Sequence, residues 1–421
     1  MGGPVDSIAK QGREKVALVA GATGLVGKEL VKSLLHSGSD WTLIYGIARQ
    51  TPYDNYGNAN EGAPFCRYRF VQCDLLDQEQ TAKKLGDLAG RVTHLFWVTW
   101  TSQFPLDTPD CCAQNRAMLT NTLDALLIPG SPALRHICLQ TGTKHYVSLK
   151  APGLAGPYLE EEILESDDMS KFEPIVLPTK GGHDHDHEMD APHMYNFYYD
   201  IERLVMERAS QGLVNSWSVH RPGLLFGASS RSYFNVMGSL CMYASLCQHL
   251  GMPFHFYGTK FCWEEHYINM SDARIVADQQ IWWASSSHEP GNNGEAFNAV
   301  DVAPFIWKQV WPALAYKFGI KCKSEETNNW LSEEKCYAEI MHDKEQVWDE
   351  IVSANGLRKT KIEDLANWGF LDSLFRFSGK LLAAPGKAER LGFMPPCTYT
   401  DANTESVLYW VDRIREMRFI P

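Results

Sequence analysis

The sequence has no excess of positive charge, no cysteine framework and no long uninterrupted apolar run, and each absence removes a class of function. Against 51 Asp and Glu stand 39 Lys and Arg, a formal net charge of −12. Nucleic-acid binding rests on clustered cations that neutralise phosphates, so a polyanion is not the expected partner. The eleven cysteines are odd in number, and several, such as Cys73, Cys138, Cys241 and Cys247, sit among apolar residues. Cys111 and Cys112 are adjacent rather than spaced as CxxC, and no zinc spacing occurs, so reduced core thiols are expected and no metal. The start, MGGPVDSIAKQGREK, is polar and lacks the pattern of a secretory signal or transit peptide, and Asp6 stands where a myristoylation motif asks for Ser or Thr. A cytoplasmic location is therefore expected. From Ser232 to Thr259 there is no Lys, Arg, Asp or Glu, but Asn235, Gln248, His249 and several serines interrupt the stretch. It reads as a buried helix lining a pocket rather than as a membrane span.

What is present is enough apolar material for a large core: 44% of 421 residues, too much for a disordered chain. From Lys15 onward, short β-rich runs (VALVAG, LIYGIAR, FVQCDL, HLFWVTW, HICLQTG) alternate with helical ones. That order predicts an α/β fold of the Rossmann type, a doubly wound parallel sheet with helices on both faces. Leu25, Val26, Leu30, Val31, Leu34 and Leu35 repeat at helical spacing, and Gly38 stands where a left-handed cap belongs. After HRPGLLFG, which ends at Gly227, the alternation gives way to aromatic-rich helical segments. The expected organisation is a flexible tail over 1–14, a dinucleotide-binding domain over 15–227 with an exposed insertion at about 165–192, and a mainly helical substrate-binding part over 228–421.

The motif VALVAGATGLVGKEL sets Gly21, Gly24 and Gly27 between a strand and a helix. Glycines there let the backbone approach a pyrophosphate, whose charge meets free N–H groups at the helix start. The second strand ends in Arg49, a cation that suits the 2′-phosphate of NADPH, where a site for NAD would normally carry an acid. Asp74, just past the third strand, can reach an adenine amino group or cap a turn.

The stretch CLQTGTKHYVSLK contains Tyr146 and Lys150 at the four-residue spacing of many nicotinamide-dependent reductases, and also Lys144. In that architecture the tyrosine and lysine share one face of a long helix. Tyr146 and Lys150 instead precede the helix-hostile run APGLAGP. The later helix, MYNFYYDIERLVMERASQG, pairs Tyr198 with Glu202 and Tyr199 with Arg203 and supplies no lysine. If a lysine is needed, Lys144 is the candidate.

TGTKHY, NFYYD, HLFWVTW, WSVHRPGLLFG and the terminal RFIP together resemble the plant progesterone 5β-reductase and iridoid synthase family, divergent short-chain dehydrogenases. The resemblance implies that the lysine of TGTKHY and the first tyrosine of NFYY, Lys144 and Tyr198, are the catalytic pair. It implies cofactor contacts at Thr23, Gly24, Leu25, Arg49, Asp74, Leu75, Thr99, Gln140, Tyr198, Leu225 and Ser232, with Trp100 walling the substrate site. Its implied activity is NADPH-dependent 1,4-reduction of an enone. Tyr198 would hold the carbonyl oxygen in the manner of an oxyanion hole, and Lys144 would lower the tyrosine's pKa or hold it in place. Two departures stand out: Gln50 follows Arg49 where the family has a second arginine, and Arg203 replaces an acid in NFYYDIER.

Two other functions are compatible with the fold: a carbonyl reductase or hydroxysteroid dehydrogenase led by Tyr146 or Tyr199, and a non-enzymatic NADP-sensing protein. Trp100, Asn235, the run Phe254–His255–Phe256–Tyr257 and the region from Trp368 to Phe375 are the expected makings of an apolar substrate pocket. The insertion HDHDHEMD, with His183, His185 and His187, lacks the fixed spacing of a metal site and reads as a solvated loop. The expected partner is a small apolar enone or enal, not nucleic acid or membrane, and a homodimer is compatible with the sequence.

Overall fold

The computed structural model describes residues 14–37, 40–52, 67–101, 106–128, 134–146, 195–286, 294–301, 303–320, 330–379, 381–395 and 402–421. Gly38, Lys150 and the His183–His187 insertion lie outside them. Seven parallel strands form the main sheet: β1 (Lys15–Ala20), β2 (Trp41–Ala48), β3 (Tyr68–Gln72), β4 (His94–Trp97), β5 (His136–Gln140), β6 (Trp217–Pro222) and, at the edge, Glu295–Ala299. Their spatial order, β3-β2-β1-β4-β5-β6 and then the edge strand, is that of a doubly wound dinucleotide-binding sheet. It places a crevice at the carboxyl ends of β1 and β4, where the order reverses.

Both faces of the sheet are covered, which is why its strands are nearly continuous apolar runs. Along β1, Ala17 and Val19 pack on one side and Leu18 and Ala20 on the other, the period of two expected of a strand. On the first side lie α1 (Leu25–His36) and a later helix, Ala273–Ser285; on the second lie α2 (Gln78–Leu85), α3 (Pro109–Leu126) and α4 (Phe197–Ser210). The periodic residues of α1, from Leu25 to Leu35, are all buried. The edge strand and the helix Ala273–Ser285 both come from beyond residue 227, so the sheet draws on chain that the sequence pattern had assigned to the second part.

The uncharged stretch forms α5 (Val236–Leu250), buried from Val236 through Cys247 and ended by left-handed Gly251. It packs inside an aromatic layer: Tyr243, Phe254 and Trp311 stack in series, and Phe256 stacks on Phe375. The run Phe254 to Tyr257 is therefore core. Its apolar character builds the layer around α5 and does not line the crevice. The terminal Phe419 and Ile420 are buried in the same core. No described helix is long and apolar enough to cross a membrane, and all eight described cysteines are free thiols.

The glycine turn that joins β1 to α1 is sterically closed. Gly21 has φ +92°, and a Cβ on Gly27 would lie 2.0 Å from the Gly21 carbonyl oxygen. A methyl group there meets backbone, which cannot swing aside. Gly27→Ala is expected to lower stability by about 1–3 kcal/mol, read by denaturant or thermal unfolding. Gly86→Ala, whose added carbon would meet nothing within 4 Å, is the control and should leave the midpoint nearly unchanged.

Candidate active site

A cavity of about 590 Å³ opens at the crevice and runs from the glycine turn to the aromatic residues of the C-terminal part. Gly21, Thr23, Gly24, Leu25, Arg49, Asp74, Leu75, Thr99, Gln140, Leu225 and Ser232 all line it, together with Trp100, Lys144 and Tyr198. Two expected residues do not. Gly27 lies beneath the turn and serves the close approach of α1 to it. Asn235 caps α5: its Oδ1 accepts from Gly238 N at 2.9 Å and its Nδ2 donates to Ser229 O at 2.6 Å. With its amide bonded at both ends, Asn235 caps α5 and is not part of the cavity wall.

The turn is shaped for a diphosphate. Gly21 N and Ala22 N both donate to Ile47 O, tying it to β2, and a Cβ on Gly21 would lie 2.9 Å from Val98 O. Gly24, the N-cap of α1, offers no capping side chain, and the first turn carries no acid, so the helix start is open to an anion. The loop after β6 straps the turn from above: Ser229 Oγ donates to Thr23 O at 2.8 Å, and Leu25 N donates to Ser232 Oγ at 3.2 Å. Arg49 is exposed at the end of β2. Asp74 does cap a turn through Oδ1, which accepts from Leu76 N, yet it still lines the cavity.

At the other end, β5 runs into a single 3₁₀ turn, Thr143–Tyr146, that carries Lys144. The start of α4 lies against it, held by Asn196, a residue the sequence reading passed over. Its Oδ1 accepts from Tyr198 N and its Nδ2 donates to Lys144 O, each at 3.2 Å. One amide thus caps the helix and fixes the two catalytic candidates relative to each other; an Asn directly before an apolar helix was the available signal. Lys144 Nζ lies 5.1 Å from the Phe197 ring centre and 5.0 Å from that of Tyr198, a cation–π arrangement. Trp100 packs on Phe197, Tyr198 and Phe234.

Of the three tyrosines considered from sequence, two are occupied within the protein. Tyr146 OH donates to Asn298 Oδ1 at 2.7 Å and accepts from Arg221 Nη1 at 3.0 Å, and the residue is outside the cavity wall. Tyr199 OH donates to His145 O at 2.5 Å. The Tyr198 hydroxyl faces Gly142, where a Cβ would stand only 2.9 Å from it. It lines the cavity with no hydrogen-bond partner among the described residues.

Burial, with Cys111 and Glu202 adding to it, pushes the Tyr198 hydroxyl well above the usual tyrosine value. Burial lowers Lys144 to about 8, partly opposed by Cys111 and Cys112. Of the two roles expected of Lys144, acidifying the tyrosine or holding it in place, the raised Tyr198 value runs against the first. The ammonium lies over the ring, 5.0 Å from its centre, and desolvation dominates at both groups, favouring the neutral phenol and disfavouring the lysine cation.

Residues 17–375 match the PRISE-like Rossmann-fold domain family. The chain belongs to this family. Relatives of the PRISE-like chain include a 3-oxo-Delta(4,5)-steroid 5-beta-reductase of Arabidopsis thaliana, 35% identical over 98% of this chain and 94% of that protein. An (S)-8-oxocitronellyl enol synthase of Nepeta cataria is 34% identical over 98% of this chain and 95% of its own. Among solved structures, the PRISE-like chain shares its fold with a dTDP-glucose 4,6-dehydratase of Bacillus anthracis in complex with NAD, at TM-score 0.57, 13% identity, and coverage of 96% of this chain and 98% of that one. A UDP-glucose 4-epimerase of Thermus thermophilus, also with NAD, superposes at TM-score 0.54 and 14% identity, covering 95% and 99% of the two chains.

The contrast between the tyrosines gives a direct test. Tyr198→Phe is expected to lower kcat/KM for an enone by about 10²–10³ while nicotinamide-cofactor affinity, read by fluorescence titration, stays near normal. Tyr146→Phe removes a buried link between Asn298 and Arg221 and should cost about 1–3 kcal/mol of stability with little change in turnover. Loss of chemistry in a folded, cofactor-binding Tyr146→Phe protein would reverse the assignment.

Proposed function

We propose that the protein is an NADPH-dependent enone 1,4-reductase that reduces the C=C bond of an α,β-unsaturated carbonyl in a small apolar enone or enal. The observation that carries this reading is the uncommitted hydroxyl of Tyr198 in the cavity wall, with the Lys144 ammonium over its ring. The family relatives, named as a steroid 5-beta-reductase and an 8-oxocitronellyl enol synthase, point to the same chemistry.

The residues fit the cofactor by shape and charge. The glycine turn and the open start of α1 would hold the diphosphate, Arg49 the 2′-phosphate, and Asp74 and Leu75 the adenosine end. Bound there, the reduced nicotinamide supplies a hydride. As negative charge builds on the substrate oxygen, Tyr198 donates a hydrogen bond to it, in a site dry enough to make that bond strong. Because burial holds the Tyr198 proton firmly, the group stabilises the enolate without being consumed as an acid, and the α-carbon proton can come from solvent. Lys144, its ammonium over the Tyr198 ring, adds positive potential to that end of the cavity, and the Asn196 clamp holds its backbone. Reduction at C=O instead would call on Tyr146 or Tyr199, whose hydroxyls are already bonded within the protein. The same reading assigns a cytoplasmic setting and makes a homodimer the assembly to look for.

The decisive experiment uses 4-deuterated NADPH with progesterone and a few small enones. Label on the β-carbon of a saturated ketone is expected; label on a carbinol carbon would transfer the reading to carbonyl reduction. The lysine makes a second prediction. Its pKa is depressed from the unfolded 10.5 to about 8, so between those values the unfolded chain binds more protons and stability rises with pH. Below about 8 the full cost of a buried cation is present. Lys144→Met should therefore stabilise the cofactor-free protein at pH 7 by on the order of 1–3 kcal/mol, an advantage that shrinks as pH rises toward 10.5, while enone turnover falls.

A further inference from the structure

Just past β5 the chain has a glycine that its backbone does not require. Gly142 is not among the glycines with positive φ, so its conformation is open to an L-residue. It lines the cavity beside Tyr198 and Pro222. What the missing side chain leaves room for is the tyrosine hydroxyl: a Cβ on Gly142 would stand 2.9 Å from Tyr198 OH, 3.3 Å from Pro222 O and 3.5 Å from Tyr198 Cζ. The first of these is a collision. A few tenths of an ångström relieve the second, and the third is van der Waals contact.

Neither partner of that contact is free to withdraw. Thr141 N donates to His220 O, and Gly142 O accepts from His145 N, each at 2.9 Å, so the backbone on both sides of the glycine is tied to β6 and to the 3₁₀ turn. Opposite it, Tyr198 N is bonded to Asn196 Oδ1. The Tyr198 ring is buried against Phe197, at 4.6 Å between centres, and against Trp100. A methyl group at Gly142 meets the far end of a side chain and not backbone, unlike one at Gly27. The strain of adding it therefore falls chiefly on the hydroxyl, which is pushed off its place.

We infer that Gly142 is a positioning residue for the reduction: by lacking a side chain it lets the Tyr198 hydroxyl seat against the end of β5, the place from which the hydroxyl bonds the substrate oxygen. This rests on the enone-reductase reading and adds to it a residue that acts through the tyrosine. A donor aimed at a developing charge is effective only at hydrogen-bond distance and angle, so a displacement well under 1 Å is costly in rate while leaving the rest of the cavity intact.

The test is a double-mutant cycle in the full-length protein, with NADPH and whichever of progesterone and the small enones the wild type reduces fastest. Gly142→Ala should lower kcat about tenfold, with NADPH affinity, read by fluorescence titration, within about twofold of wild type. In the Tyr198→Phe background, where the oxygen it displaces is gone, the same substitution should change the single-turnover rate by less than about twofold. Independently of turnover, NMR of protein labelled with ¹³C at tyrosine Cζ should show the resonance that Tyr198→Phe removes shifted in Gly142→Ala, with the other tyrosine resonances in place. An unchanged kcat, an equal loss in both backgrounds, a loss matched by weaker NADPH binding in a folded variant, or a Tyr198 resonance that does not move would each overturn the inference and leave the enone reading standing. Should Gly142→Ala fail to fold, the double variant decides: folding regained on removing the hydroxyl supports the contact, and folding still lost overturns it. If the wild type binds NADPH but reduces none of the enones, the enone reading falls and takes this inference with it.

Discussion

The carboxylate of Glu202, buried one helical turn below Tyr198, is the charge around which the Lys144–Tyr198 end of the cavity is assembled. Burial opposes its ionisation, yet Arg221 beside it, and His145 and Thr141 within bonding reach, reverse that and leave it below the usual carboxylate range. Its oxygens lie 3.5 Å from Arg221 Nη2, 3.4 Å from His145 Nδ1 and 3.4 Å from Thr141 Oγ1. These partners come from β6, from the 3₁₀ turn next to Lys144 and from the end of β5. Removing one member would leave a desolvated charge unpaired, which is far costlier than the cluster's net contribution is favourable. The cluster therefore acts less as a source of stability than as a constraint on where α4 can sit relative to the sheet. Arg221 extends it to Tyr146, which ties the tyrosine two residues after Lys144 into the scaffold.

The C-terminal part answers a different need. A doubly wound sheet supplies a cofactor crevice but little that could enclose an apolar substrate. Here the enclosure depends on α5, whose lack of charged residues lets it run through the centre of the aromatic layer, with Trp311 and Trp348 donating their ring N–H groups to backbone carbonyls. Asn235 starts that helix at the loop whose Ser229 and Ser232 strap the glycine turn. One short loop thus joins the glycine-turn end of the cavity to the helix at the centre of the aromatic layer.

Much of this was legible in local pattern. The alternation of strand and helix, the spacing of Gly21, Gly24 and Gly27 and the apolar stripe of α1 depend on neighbours in sequence, and the structure has them as expected. Lys144 and Tyr198, far apart in the chain, do meet in one cavity. What could not be read depends on contacts across the fold. His145, Glu202 and Arg221 carry no local sign of sharing a cluster. The run from Phe254 to Tyr257 has the composition of a pocket wall and of a core alike, and only the position of Trp311 and Phe375 assigns it to the core. Asn235 was misplaced for the opposite reason: the local signal, an Asn ahead of an apolar helix, was a cap, and a substrate role was read over it.

Lys144 and Tyr198 are both held in their less comfortable states: a cation where burial favours the neutral amine, and a hydroxyl kept from bonds with the protein. An unconstrained chain would relieve both, the amine by reaching solvent and the phenol by finding an acceptor. The Asn196 clamp fixes the lysine's backbone, the Phe197 and Tyr198 rings lie against its ammonium, and Trp100 packs on the tyrosine. In the proposed reaction, positive potential and a free donor would be in place before a substrate oxygen arrives, leaving little reorganisation for the reacting step. Packing elsewhere offsets the cost of this arrangement, and the two residues stand on a short 3₁₀ turn and a helix start that the Asn196 amide ties together.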